Sequence, residues 1–144
     1  MKQYYLILVF LITTLIQAQP GSESAILNVN ATISYQGIDE TTPLLGSGEY
    51  KIYYDNIDGV LDKPIIFIDG FDPNDSRDIP SMYQLLNFGN SNENLGDIIR
   101  SEGYDLIVLN FEEEYFSPTD GSTPIRGGAD YIQRNAFTLI ELIN

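Results

Sequence analysis

Two apolar runs constrain this chain more than any other feature. Pro64-Ile65-Ile66-Phe67-Ile68 and Leu106-Ile107-Val108-Leu109, the second set within residues 104–111, are of strand length and lack polar alternation. A strand with one wet face alternates apolar and polar residues, so an unbroken run belongs to a strand covered on both faces. The first run ends in Asp69-Gly70-Phe71-Asp72-Pro73-Asn74-Asp75, a dense set of turn formers. Asp78 then stands where it can cap a short helix reaching about Asn87, with Pro80 in the first turn. Asn92 or Asn94 can start a second helix carrying Leu95, Ile98 and Ile99, with Gly103 as its stop. After the second run comes a loop with Pro118, Gly121, Pro124, Gly127 and Gly128, then a final helix near residues 129–143. Its Ile132, Ala136, Leu139, Ile140 and Ile143 recur at helical spacing, which predicts an apolar face pressed on the sheet.

Strand, helix, strand, helix is the rhythm of a parallel α/β sheet. In such a sheet the final helix leads to one more strand. The sequence reaches Asn144 first, so it reads as a sheet cut one strand short. Residues 19–60 differ in character, being rich in Ser, Thr, Asn and Gly. Strand-like pieces at 25–29, 32–35 and 50–54, with a turn at Gly46-Ser47-Gly48, suggest a β-rich leader or hairpin. Residues 61–144 then form the α/β part.

The first 18 residues read as a secretory signal peptide. Lys2 is their only charge, residues 4–16 are apolar apart from Thr13 and Thr14, and Gln17-Ala18-Gln19-Pro20 follows. A positive start, a short apolar middle and a small residue before a polar break are the parts of such a signal, and they put the cut between Ala18 and Gln19. The competing reading, a retained anchor, takes about 20 apolar residues. Lipid attachment at the cut takes a cysteine, and the chain has none. The expected location is outside the cytoplasm, in the periplasm, on the outer surface or in the medium, with no stable membrane span after cleavage.

Charge and composition narrow the function. The chain carries 21 acidic and 7 basic residues, a net charge of −14. Binding to nucleic acid needs a basic surface, so that class is excluded, as is docking on anionic lipid. Cysteine and histidine are both missing from the sequence. That removes disulfides, thiolate sites, the commonest general base and the commonest metal ligand.

The blocks Lys63-Pro-Ile-Ile-Phe-Ile-Asp-Gly-Phe-Asp-Pro, Gly103-Tyr-Asp-Leu-Ile-Val-Leu-Asn-Phe and Gly128-Ala-Asp-Tyr-Ile-Gln-Arg-Asn-Ala-Phe resemble the front half of the α/β-hydrolase fold. They are most similar to exported alpha/beta-hydrolase-like proteins of Bacteroidetes-type bacteria. The resemblance covers residues 60–144 and implies a partial, parallel α/β-hydrolase-like sheet that ends before the nucleophile strand. It implies ester or acyl hydrolysis by a serine nucleophile as the family chemistry, with no cofactor. By the same resemblance Gly70 and Phe71 are the oxyanion-hole candidates, glycine allowing close backbone approach. Where family members often carry His-Gly, this chain has Asp69-Gly70, and an ordinary tight turn explains the pair equally well. The family's Gly-x-Ser-x-Gly elbow and its histidine are both missing from the sequence. A serine triad needs its base, so this polypeptide alone is expected to be inactive. The alternative function is a small secreted binding or surface module without catalysis. An open sheet edge would make either form prone to self-association.

Other clusters have structural explanations beside functional ones. A twelve-residue calcium loop begun at Asp72 places Asn74 third and Ser76 fifth, but it puts Arg77 where glycine is needed and Tyr83 where glutamate is needed. Asp72, Asn74 and Asp78 are therefore the metal candidates, set against turn formation and helix capping. Glu112-Glu113-Glu114 reads as a solvated strand end. The leader makes a direct prediction: exported protein begins at Gln19 on N-terminal sequencing, and recovery of intact Met1 in a membrane fraction would return the anchor.

Overall fold

The computed structural model describes residues 21–55, 58–89, 92–112 and 114–144. The signal peptide and its cleavage pair, Ala18 and Gln19, lie outside these residues. Strands β1 (Leu27–Tyr35) and β2 (Leu44–Tyr53) pair antiparallel. Strand β3 (Pro64–Ile68) leads through helices α1 (Ile79–Gln84) and α2 (Leu95–Ser101) to β4 (Asp105–Phe111). A small separate hairpin, β5 (Glu114–Phe116) and β6 (Pro124–Arg126), and a 3-10 turn at Gly127–Ala129 precede α3 (Ile132–Ile143). Among the described residues no helix is long and apolar enough to cross a membrane.

The main sheet has the order β1-β2-β4-β3. Only β3 and β4 run parallel, while β2 lies antiparallel against the other side of β4. This overturns the expected parallel, α/β-hydrolase-like sheet: the domain is β-rich, with a mixed and mostly antiparallel four-stranded sheet and three short helices. The reason is physical. An unbroken apolar run reports burial on both faces and says nothing about the direction of the neighbours. All seven residues of β4 are buried, as the run predicts. The sequence before β3, however, supplies an antiparallel partner for β4.

Each face of the sheet has its own cluster. Leu106 and Val108 point to one side, where Tyr53, Ile79, Met82, Tyr83 and the partly buried Phe67 surround them. Leu109 and Phe111 point to the other, against Val29, with Ile66, Ile68, Leu139 and Leu142 at the margin. The helices between β3 and β4 start where the sequence predicts. Asp78 accepts from the Ser81 amide and Ser81 reciprocates toward the Asp78 amide, a complete capping box for α1. Asn94 accepts from the amides of Gly96 and Asp97 to start α2, and Gly103 (φ +83°) leaves it.

Two expectations fail together at α3. Gly46 and Gly48 lie inside β2 rather than in a turn, Gly48 pairing with Val29 on one side and Phe111 on the other. The helix presents a mixed face inward: Arg134 and Thr138 are its buried residues and Leu139 packs at the margin of the sheet cluster as expected, whereas Ile132, Ala136, Ile140 and Ile143 are exposed. The glycines explain the helix. A Cβ on Gly46 would sit 2.3 Å from Thr138 Oγ1 and 2.7 Å from the Arg134 carbonyl oxygen. Glycine in a strand interior here marks close approach of another backbone, and the floor it leaves suits a small hydroxyl better than an isoleucine. Gly46→Ala therefore overpacks this contact and lowers unfolding stability by about 1–3 kcal/mol. Gly70→Ala, with no heavy atom within 4 Å of the new methyl, changes it by less than about 0.5 kcal/mol. Urea titration of both variants checks the contrast.

Candidate functional site

The loop after β3 is held from within by its own carboxylates. The Asp69 amide continues the ladder to the Leu109 carbonyl at 3.0 Å. Its carboxylate accepts from the Gly70 amide at 2.8 Å and pairs with Arg77 at 3.1 Å. Burial pushes the Asp69 carboxyl above its ordinary value, only partly offset by the Arg77 charge and the Gly70 amide. Asp72 is buried; one oxygen accepts from the amides of Ser76 (2.8 Å) and Arg77 (3.2 Å). Burial alone would raise its carboxyl, but hydrogen bonds from Ser76 and the Arg77 charge outweigh that and hold it low.

The three metal candidates from the sequence thus act separately. Asp72 closes the loop on itself, Asp78 caps α1, and the Asn74 backbone carbonyl accepts from Arg126 at 3.1 Å. The two oxyanion candidates lie side by side on the same loop. The Gly70 amide donates to Asp69, and the Phe71 ring projects outward at 77% exposure.

Beside that ring lies a groove of about 430 Å³ between the loop and α3. Its walls are mainly apolar: Phe71, Phe111, Ile132, Ala136 and Leu139, with Asp69 at one side. Ile132 is 82% exposed. Helical periodicity finds the apolar stripe of α3 but does not fix which way it faces, so the groove was not readable from the sequence.

Next to the groove the first turn of α3 is anchored by a buried charge. Arg134 is fully buried and donates to Asp130 Oδ1 and Glu40 Oε2, each at 2.6 Å, and to the Tyr35 carbonyl at 3.1 Å. The Tyr115 hydroxyl donates to Asp130 at 3.0 Å, and the guanidinium lies 5.1 Å from the Tyr115 ring centre. Burial acts to raise the Glu40 carboxyl, yet the Arg134 hydrogen bond, the Gly37 amide and the Arg134 charge prevail and hold it below its ordinary value. Burial pushes the Tyr115 hydroxyl up. The spacing of Asp130 and Arg134, four residues apart, was the available sequence signal for half of this cluster. Nothing in the sequence pointed to Glu40.

A second acidic group involves Asp55, Asp62 and Asp105, whose carboxylate oxygens lie within 4.8 Å of one another. A hard cation would use these three among the described residues. Asp105 is fully buried and already accepts from the Asp55 amide at 2.9 Å and the Asp62 amide at 2.8 Å. That bonding tethers the segment before β3 to the start of β4. Compared with known proteins, the chain matches no family model, no curated protein and no solved structure.

The Arg134 cluster gives a stability prediction. Arg134→Ala leaves Glu40 and Asp130 buried without their cation and costs about 3–5 kcal/mol at neutral pH. Glu40 is depressed in the fold, so its contribution is complete above about pH 4.5 and is lost as the pH falls through the folded value. Arg134→Ala removes that acid-side loss. Urea unfolding of both proteins at neutral and mildly acidic pH measures it.

Proposed function

We propose that this chain is a small exported module that binds another polypeptide and carries out no chemistry of its own. The observation that carries this reading is the apolar surface where α3 meets the end of β3. Phe71 and Ile132, both largely exposed, wall one groove, and Ile140 and Ile143 extend the apolar side of α3. Isolated exposed apolar residues are common, but several around one groove mark an interaction surface. Beside it, β3 has an open edge among the described residues, because it pairs only with β4. An open edge next to apolar side chains is the setting for strand addition, in which backbone bonds give affinity and flanking side chains give selectivity. Self-association across that edge belongs to the same reading.

Export rests on residues 1–18. The ester chemistry implied by the sequence resemblance is not assigned to this chain: a serine mechanism takes a base beside its nucleophile, and the sequence has no histidine. The test is chemical cross-linking in the exporting cells. Wild-type protein is expected in a complex above the monomer band. Phe71→Glu/Ile132→Glu is expected to lose the complex while keeping its unfolding midpoint, and short-chain acyl esters are not turned over above a heat-treated control. A wild type that stays monomeric like the variant, or ester turnover above the control, overturns the reading.

A further inference from the structure

We propose that the polypeptide received by the open edge of β3 is β3 of a second copy, paired antiparallel about a two-fold axis through Ile66. This rests on the binding-module reading and names its partner. The backbone supports it first. The Asp105 amide bonds the Lys63 carbonyl at 3.2 Å, and the Asp69 amide bonds the Leu109 carbonyl at 3.0 Å. The odd-numbered residues therefore turn their backbone groups toward β4. Successive residues alternate, so Pro64, Ile66 and Ile68 turn theirs to the open side.

Centred on Ile66, that row complements itself. Ile66 exchanges a pair of bonds with Ile66 of the copy, and the Ile68 amide reaches the Pro64 carbonyl of the copy at each end. Pro64 has no amide hydrogen, and this register puts the missing donor at the ends of the ladder, away from the axis. A register centred on Ile65 or Phe67 would put a non-hydrogen-bonded pair on the axis and would part Lys63 from Asp69 of the copy.

The side chains follow the same symmetry. Ile66 and Ile68 belong to the cluster under α3, and Phe67 to the opposite one. Pairing sets Pro64 beside Ile68 of the copy on the α3 side and Ile65 beside Phe67 of the copy on the other. Lys63 comes opposite Asp69 of the copy, and the match is repeated by the axis. The Asp69 side chain is 6% exposed and already paired with Arg77 at 3.1 Å, so the ammonium of the copy acts on it from the rim as a second, more distant cation. A strand of unrelated sequence would satisfy the backbone row but not this doubled charge match.

The two edges of the sheet also differ. β1 has a bulge between Asn30 and Ser34 and carries Asn28, Asn30, Thr32 and Ser34 at alternate positions, devices that discourage strand pairing. Within Pro64–Ile68 there is no polar side chain, and its pairing with β4 shows no shift in register; its edge-blunting proline, Pro64, falls at the end of the ladder. The net charge of −14 opposes association of copies, and at physiological salt that repulsion is screened beyond about 8 Å.

Full-length exported protein at physiological salt provides the test. Sedimentation equilibrium is expected to show a concentration-dependent monomer–dimer equilibrium. Residue-resolved hydrogen exchange is expected to show the Ile66 and Ile68 amides slowing as concentration rises. Ile65, 37% exposed, accepts a charge without unfolding the monomer, so Ile65→Lys weakens the dimer by about tenfold or more with an unchanged unfolding midpoint. Lys63→Glu weakens it as well and keeps the test valid if Ile65→Lys is poorly folded. A monomer at every concentration overturns the inference. So does a dimer whose Ile66 and Ile68 amides stay fast, or one lost in Phe71→Glu/Ile132→Glu but indifferent to Ile65→Lys. Those last results leave the binding-module reading standing, whereas absence of any complex in the exporting cells removes both.

Discussion

Strand β4 is buried along its whole length, so its backbone amides and carbonyls have to find partners inside the protein. β2 supplies them on one side and β3 on the other, and the rest of the domain is arranged around that requirement. The buried polar residues near the strand's ends extend it to the loops. Asp105 at the start holds the segment that leads into β3. Asn110 near the end donates to the Arg77 carbonyl at 3.2 Å and to Glu112 at 2.9 Å, fixing the loop that leaves β3. The loop that carries Phe71 is thus tied to β4.

The second organising element is the contact of α3 with the first two strands. A helix that lies close over glycines has little room for a bulky apolar side chain at the contact, and this one places Thr138 and Arg134 there. The charge is matched by Asp130 and Glu40. Such a cluster is not an efficient source of stability, since apolar packing of the same volume often does as well. It does specify the helix's rotation. The rotation leaves Ile132, Ile140 and Ile143 pointing away from the sheet, so the buried arginine and the exposed apolar stripe are consequences of one another.

Much of the local structure was legible. The apolar runs located β3 and β4, Asp78 and Asn94 marked their helices, and Gly103 marked a stop. Direction was not legible, because β4 would show the same unbroken apolar pattern between parallel or antiparallel neighbours. The two glycines of β2 were misread as a turn because composition cannot distinguish a bend from a close approach by a helix far along the chain. For α3 the period was right, but of the expected face only Leu139 packs on the sheet: the hydrophobic pattern assumes an apolar floor, and the floor over the first turns is bare backbone with a buried acid at its end. Of the candidate site, Gly70 and Phe71 drew attention as a loop pair. The groove beside Phe71 depends on the rotation of α3, which the sequence leaves open until Glu40 is known to meet Arg134.

The Arg134 cluster also constrains the order in which the chain can assemble. Its Glu40 partner lies 94 residues away in sequence, so the bond closes a long loop and gains nothing from local helix formation. An α3 that reached the glycine floor before the Glu40 turn was in place would bring a guanidinium out of water half matched. Docking of the helix therefore gains both halves of its charge match only where the β1–β2 hairpin is already formed.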